Sequence, residues 1–185
     1  TIHADAKTKR IAGDKWHSDV SCEAEPPMGS ILRLHTLPAS GGDTLFASMY
    51  AAYEALSAPM QELLGKLTAV HDGGPNYSNR NQLAGISNTG KVFPHAEHPV
   101  IRTHPVTKKP AIFVNPAFTT ELKGVSPGEG QALLNFLFDH IAKPEFHCRF
   151  KWEANSIAFW DNRSAQHHAM WDYYPQVRSG YRVTI

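Results

Sequence analysis

His17 and Asp19 stand two apart in Trp16-His17-Ser18-Asp19. In an extended segment, positions two apart point to the same face. An imidazole nitrogen and a carboxylate oxygen could then reach one metal ion. A second histidine, brought from a distant strand, would complete a triad on one face of that metal. Two imidazoles and one carboxylate leave coordination positions open, the arrangement used by non-haem iron(II) oxygenases, where a co-substrate and O2 must both reach the iron. Zinc sites draw on the same residue types. The H-x-D spacing alone is a common accident, and its bland reading is a solvent-facing pair near a strand end. Eleven histidines supply many candidates for the third ligand, and the count singles out none.

Such a triad needs a rigid frame, and the rest of the chain reads as one. Its 185 residues, 42% hydrophobic and 19% charged, suit one globular domain, here taken as 1–185. Net charge is +1 and no basic run stands out, so nucleic acid is not an expected partner. No apolar run approaches the roughly 18 residues a membrane span needs, so no membrane is expected either. Cys22 and Cys148 form no C-x-x-C pair, which fits a reducing, cytoplasmic setting better than a disulfide framework. The chain opens at Thr1 in a polar stretch through Lys15, and an upstream segment is expected.

The pattern predicts many short strands with a few helices. Strands are expected at 31–37, 44–47, 67–70, 100–103, 111–114, 146–152, 156–160, 165–169 and 180–185. Ser48 is read as the cap of a helix through about Leu56, and Ser57 as the cap of a second. Ser126-Pro127-Gly128-Glu129 has capping-box spacing and opens a helix through Ile141. Residues 71–98 lack apolar periodicity and are rich in Gly, Asn and Ser, which predicts a mobile lid or substrate loop. The expected fold is mainly β with peripheral helices (α+β), a barrel or jelly roll.

Several blocks together resemble one family. Trp16-His17-Ser18-Asp19-Val20, Leu37-Pro38-Ala39-Ser40-Gly41-Gly42-Asp43-Thr44 and Trp160-Asp161-Asn162-Arg163 with Gln166-His167 occur in order. His104-Pro105-Val106, Val114-Asn115 and Phe118-Thr119-Thr120 fit the same pattern. The chain resembles the TauD/TfdA family of iron(II), 2-oxoglutarate-dependent dioxygenases, and within it the taurine dioxygenases. The resemblance implies a double-stranded β-helix with Fe(II) on His17, Asp19 and His167. His168 is the rival third ligand, and strand alternation would turn it to the opposite face. The resemblance also implies 2-oxoglutarate and O2 as co-substrates, with Arg178 and Thr44 on the distal carboxylate of 2-oxoglutarate. Val20, Phe118 and Arg182 fall on the primary substrate, and Trp16, Trp160 and Phe46 are further candidate walls. A homodimer or tetramer is the family's usual assembly.

The implied reaction is hydroxylation of a small anionic substrate. A sulfonate such as taurine would release sulfite and an aldehyde. Alkyl sulfates and phenoxyalkanoates are alternative substrates, because Gly13 stands where the taurine enzymes carry a polar Asn and Phe46 where they carry Trp. A non-catalytic metal-binding jelly roll and a zinc hydrolase are the alternatives from other classes. The latter lacks a general base and leaves Arg178 and Arg182 without a role.

Overall fold

In the second strand, Leu32 and Leu34 alternate with Arg33 and His35, burying one side and exposing the other. That period of two is the commonest device in this chain. The computed structural model describes residues 1–185. In chain order the elements are β1 Ile2–Ala4, β2 Gly29–Thr36, β3 Thr44–Ser48, α1 Met49–Glu54, α2 Ala58–Leu64 and β4 Thr68–Asp72. There follow α3 Gly74–Leu83, β5 His95–Pro99, β6 Ile101–Thr103, β7 Pro110–Ile112, β8 Thr119–Lys123 and α4 Pro127–Ile141. A 3-10 turn at Pro144–Phe146 leads to β9 His147–Phe150, β10 Ile157–Asp161, β11 Ala165–Ala169 and β12 Arg178–Thr184.

The strands pair antiparallel throughout, in sheets ordered β1-β12-β2-β10, β11-β3-β9, β5-β4-β8 and β6-β7. The first two form the layers of a jelly roll. Leu32, Leu34, Ala158 and Trp160 of the first sheet pack with Trp152, Phe46 and Phe150. A larger core lies beside it, where α1, α2 and α4 cover the smaller sheets through Leu64, Val100, Ile112, Leu134, Leu137 and Ile141. The capping box at the start of α4 forms, the Glu129 carboxylate accepting from the Ser126 N–H at 2.8 Å and hydroxyl at 2.7 Å. No helix is long and apolar enough to cross a membrane.

Residues 71–98 are not the continuous loop that the sequence suggests. They hold the end of β4, helix α3 and strand β5, leaving 84–94 as the irregular part. Helix α3 buries none of its residues, so it has no apolar stripe by which it could be recognised. The strand expected at 146–152 stops at Phe150, and Trp152 instead turns into the core between the sheets.

His71, in β4, is fully buried, with its ring nitrogens 2.9 Å from Ser21 Oγ and 3.3 Å from Thr119 Oγ1. Burial first, and the neighbouring His98 second, push its pKa from 6.5 down to about 3. A base with a depressed folded pKa binds fewer protons folded than unfolded, so its contribution is full above its ordinary pKa and is lost on acidification. Urea unfolding across a pH series should therefore show stability falling from pH 6.5 toward 3. The slope should be shallower in His71→Gln, and equal slopes would contradict the assignment.

Candidate metal centre and its cavity

The segment before β2 runs alongside β11. The His17 N–H donates to the His167 carbonyl at 3.1 Å, and the His167 N–H donates back at 2.9 Å. A hydrogen-bonded antiparallel pair sets its two side chains on the same face, and the ring centroids lie 4.0 Å apart. Two residues beyond His17, Asp19 shares that face. His17 Nε2 lies 3.6 Å and His167 Nε2 4.0 Å from Asp19 Oδ1. All three residues are buried, and their ligand atoms lie within 4.8 Å of one another.

The donor chemistry fits a cation. His17 Nδ1 sits 2.7 Å from the Lys15 carbonyl, which can only accept, so Nδ1 is the donor and Nε2 is the ring nitrogen left to face a metal. His167 Nδ1 is buried and has no partner, and the ring is held neutral. Burial, aided by the charge of His17, drives its pKa well below the ordinary value. At Asp19, burial works to raise the pKa. The adjacent His17 and His167 together with the Arg182 guanidinium outweigh it, leaving the carboxyl ionised far below its usual range. Two imidazoles and one carboxylate converging on one point can hold a divalent metal by one face. His168 points away, 5.6 Å from Trp16 across the strand, and is outside the cluster. Trp16 faces the larger core with it rather than the cavity, because it neighbours His17 and takes the opposite side. Phe46 and Trp160 flank His167 at 6.1 and 4.7 Å between centroids.

The sequence reading assigned no role to the groups that hold Asp19 in place. Ser30 Oγ donates to Oδ2 at 2.6 Å, Asn162 Nδ2 donates to Ser30 Oγ at 3.1 Å, and Trp160 Nε1 donates to Asn162 Oδ1 at 2.9 Å. This chain occupies Oδ2 and leaves Oδ1 toward the histidines. Its only signal in the sequence is the Asn within Trp160-Asp161-Asn162-Arg163. Outer partners of metal ligands are worth ~10–100-fold in metal affinity, so Asn162→Ala should weaken the metal Kd by about that factor. An anaerobic Fe(II) titration measures it, and an unchanged Kd would remove the role.

Arg178 lies between the two layers, buried to 4% exposure. Its Nε donates to the Gly42 carbonyl at 2.8 Å and its Nη2 reaches Thr44 Oγ1 at 3.4 Å. Trp152 Nε1 donates to the same Thr44 oxygen at 3.1 Å, and the guanidinium lies 5.9 Å from the Trp152 ring. Burial lowers the Arg178 pKa, and no carboxylate pairs with it. A buried, uncompensated guanidinium beside a hydroxyl is an anion site in waiting.

A cavity of about 300 Å³ opens beside His17 and Asp19, its walls including Gly13, Val20, Phe118 and Arg182 but not His167. Thr44 and Arg178 do not line it. Arg182 Nη1 donates to Asp19 Oδ1 at 2.7 Å and keeps 32% of its side chain exposed. In β12 it shares the inward face with Arg178, roughly 13 Å along the strand. Gly13 has φ +85°, and a Cβ there would lie 3.1 Å from His17 Cε1. A side chain at this left-handed position would press on a candidate ligand.

The sequence model for "Taurine catabolism dioxygenase TauD, TfdA family" matches residues 2–184. An alpha-ketoglutarate-dependent sulfate ester dioxygenase of Pseudomonas putida is 39% identical over 93% of this chain and 59% of its own length. An alpha-ketoglutarate-dependent sulfonate dioxygenase of Saccharomyces cerevisiae is 37% identical over 91% of this chain and 41% of its own. Among solved structures, a taurine dioxygenase from Burkholderia xenovorans superposes with TM-score 0.83 at 37% identity, covering 100% of this chain and 63% of that one. The chain spans about half the length of the sequence relatives it matches.

Proposed function

This chain belongs to the TauD/TfdA family, and from that premise we propose that the protein is an Fe(II)- and 2-oxoglutarate-dependent dioxygenase acting on small organosulfur anions. The convergence of three buried ligand residues, His17, His167 and Asp19, with their ligand atoms within 4.8 Å of one another, carries the reading. The buried, unpaired Arg178 supports it by offering 2-oxoglutarate a cation for its distal carboxylate, with Thr44 as a second donor. When bound, iron and 2-oxoglutarate supply the activation of O2 that oxidises a substrate C–H bond. The protein's residues supply position. Ser30 and Asn162 fix the carboxylate of Asp19, Arg182 takes the sulfur oxyanion, and Val20 and Phe118 confine the carbon chain against the metal while excluding water.

Sulfonate and sulfate ester are both served by one guanidinium at that end, and the relatives named above divide between the two. The products separate them. Oxidation at the carbon bearing sulfur releases sulfite from a sulfonate, whereas oxidation at the carbon bearing the ester oxygen releases sulfate from an alkyl sulfate. A panel of taurine, alkanesulfonates, alkyl sulfates and a phenoxyalkanoate, assayed for succinate, sulfite and sulfate, tests the proposal. Succinate accompanied by sulfite is the expected result with at least one sulfonate. Turnover of the phenoxyalkanoate alone would overturn the organosulfur assignment.

A further inference from the structure

Beyond the metal and Arg182, the cavity is cationic. Two more arginines and a lysine line it, Arg10, Arg80 and Lys15, against only two carboxylates, Asp14 and Asp19. Both carboxylates are taken. Arg10 forks onto Asp14 at 2.7 and 2.8 Å, and Arg182 sits on Asp19. Arg80 and Lys15 remain, with no carboxylate partner and no side-chain hydrogen bond. Arg80 projects from α3, its guanidinium 5.6 Å above the ring of Tyr77, which also lines the cavity. Lys15 also lines the cavity, two residues before His17. Both are exposed at the mouth.

Two unpaired cations at the rim of a cleft focus a positive potential into it. A substrate with an ammonium at its far end would bring that charge toward Lys15 and Arg80, and Gly13 offers no side chain to receive it. We propose that Lys15 and Arg80 form a second anion subsite, selecting organosulfur substrates that carry an anionic group, such as a carboxylate, at the end away from the metal. The inference rests on the reading above, which places the sulfur oxyanion at Arg182, and it names the substrate class for that site.

The test uses three sulfonates of similar length, 4-sulfobutanoate, butanesulfonate and 3-aminopropanesulfonate, with the full-length protein. Succinate formation gives kcat and KM for each. The expected order of kcat/KM is anionic end first, neutral second, cationic last. In Lys15→Ala/Arg80→Ala the ratio of the butanesulfonate KM to the 4-sulfobutanoate KM should fall about five- to tenfold toward one, the range two exposed ion pairs give together. In Lys15→Glu/Arg80→Glu the aminosulfonate should overtake. A ratio that stays the same in the alanine variant, or a wild-type preference for the aminosulfonate, would overturn the subsite. If none of the three yields succinate, it is the oxygenase reading that fails. Calorimetric Kd values for the same compounds on anaerobic, metal-loaded protein then decide the subsite by the same ratio.

Discussion

His167→Ala should abolish metal binding and turnover, while His168→Ala should keep the metal. The two histidines are neighbours of the same type on one strand, so composition and local flexibility are matched. They differ in the face they occupy. His167 shares its face with His17 and Asp19, and His168 packs against Trp16. Removing an outer partner of a ligand costs ~10–100-fold in affinity, so loss of a ligand itself should exceed about a hundredfold. Metal content after anaerobic Fe(II) loading, read beside far-UV circular dichroism to confirm folding, measures it. Equal metal content in both variants would contradict the assignment, and so would the reverse pattern.

Arg178→Met should raise the KM for 2-oxoglutarate by roughly 30- to 1000-fold, the equivalent of ~2–4 kcal/mol, within the range for a buried charge pair. It should do so without loss of thermal stability. The argument is that Arg178 is a buried cation paired with no carboxylate, and replacing such a charge by an apolar side chain of similar length relieves a desolvation penalty. A residue held for structure would show the opposite, a lower melting temperature with the KM unmoved. Arg178→Lys should rescue only in part, because an ammonium cannot reproduce the planar fork that reaches both Gly42 and Thr44. Thr44→Ala removes one neutral hydrogen bond, worth ~1 kcal/mol, and should raise the same KM about fivefold.

Of the candidate triad, only the His17–Asp19 pair carries a local signal, and the choice of His167 rests on the resemblance. His17 and Asp19 share a face by strand period alone, and the same period separates His167 from His168. The sequence suggests Trp16 as a wall of the site, but the same period turns it away from the face of His17 and into the larger core. Arg178 and Thr44 depended on resemblance, since neither carries a local signal and their meeting is made by the register between the layers. The support of Asp19 was not legible in role. Ser30 in β2 and Asn162 just past β10 meet by a side-chain hydrogen bond although far apart in sequence, and a serine in a strand looks like any other serine. Helix α3 escaped notice because periodicity reads only what is buried, and this helix buries nothing. It brings Tyr77 and Arg80 to the cavity wall, so the part of the site least visible in the sequence is the part that bears on substrate choice.

The central claim is that one centre couples 2-oxoglutarate decarboxylation to oxidation of a sulfur-bearing carbon. The most direct test incubates the protein with Fe(II), ascorbate, 2-oxoglutarate and the sulfonate panel under air, and counts succinate and sulfite in the same vessel. The account predicts the two in a one-to-one ratio, both disappearing without O2 and both lost in His167→Ala. Protein that binds iron and yields neither product would contradict it and leave a metal-binding jelly roll without this chemistry.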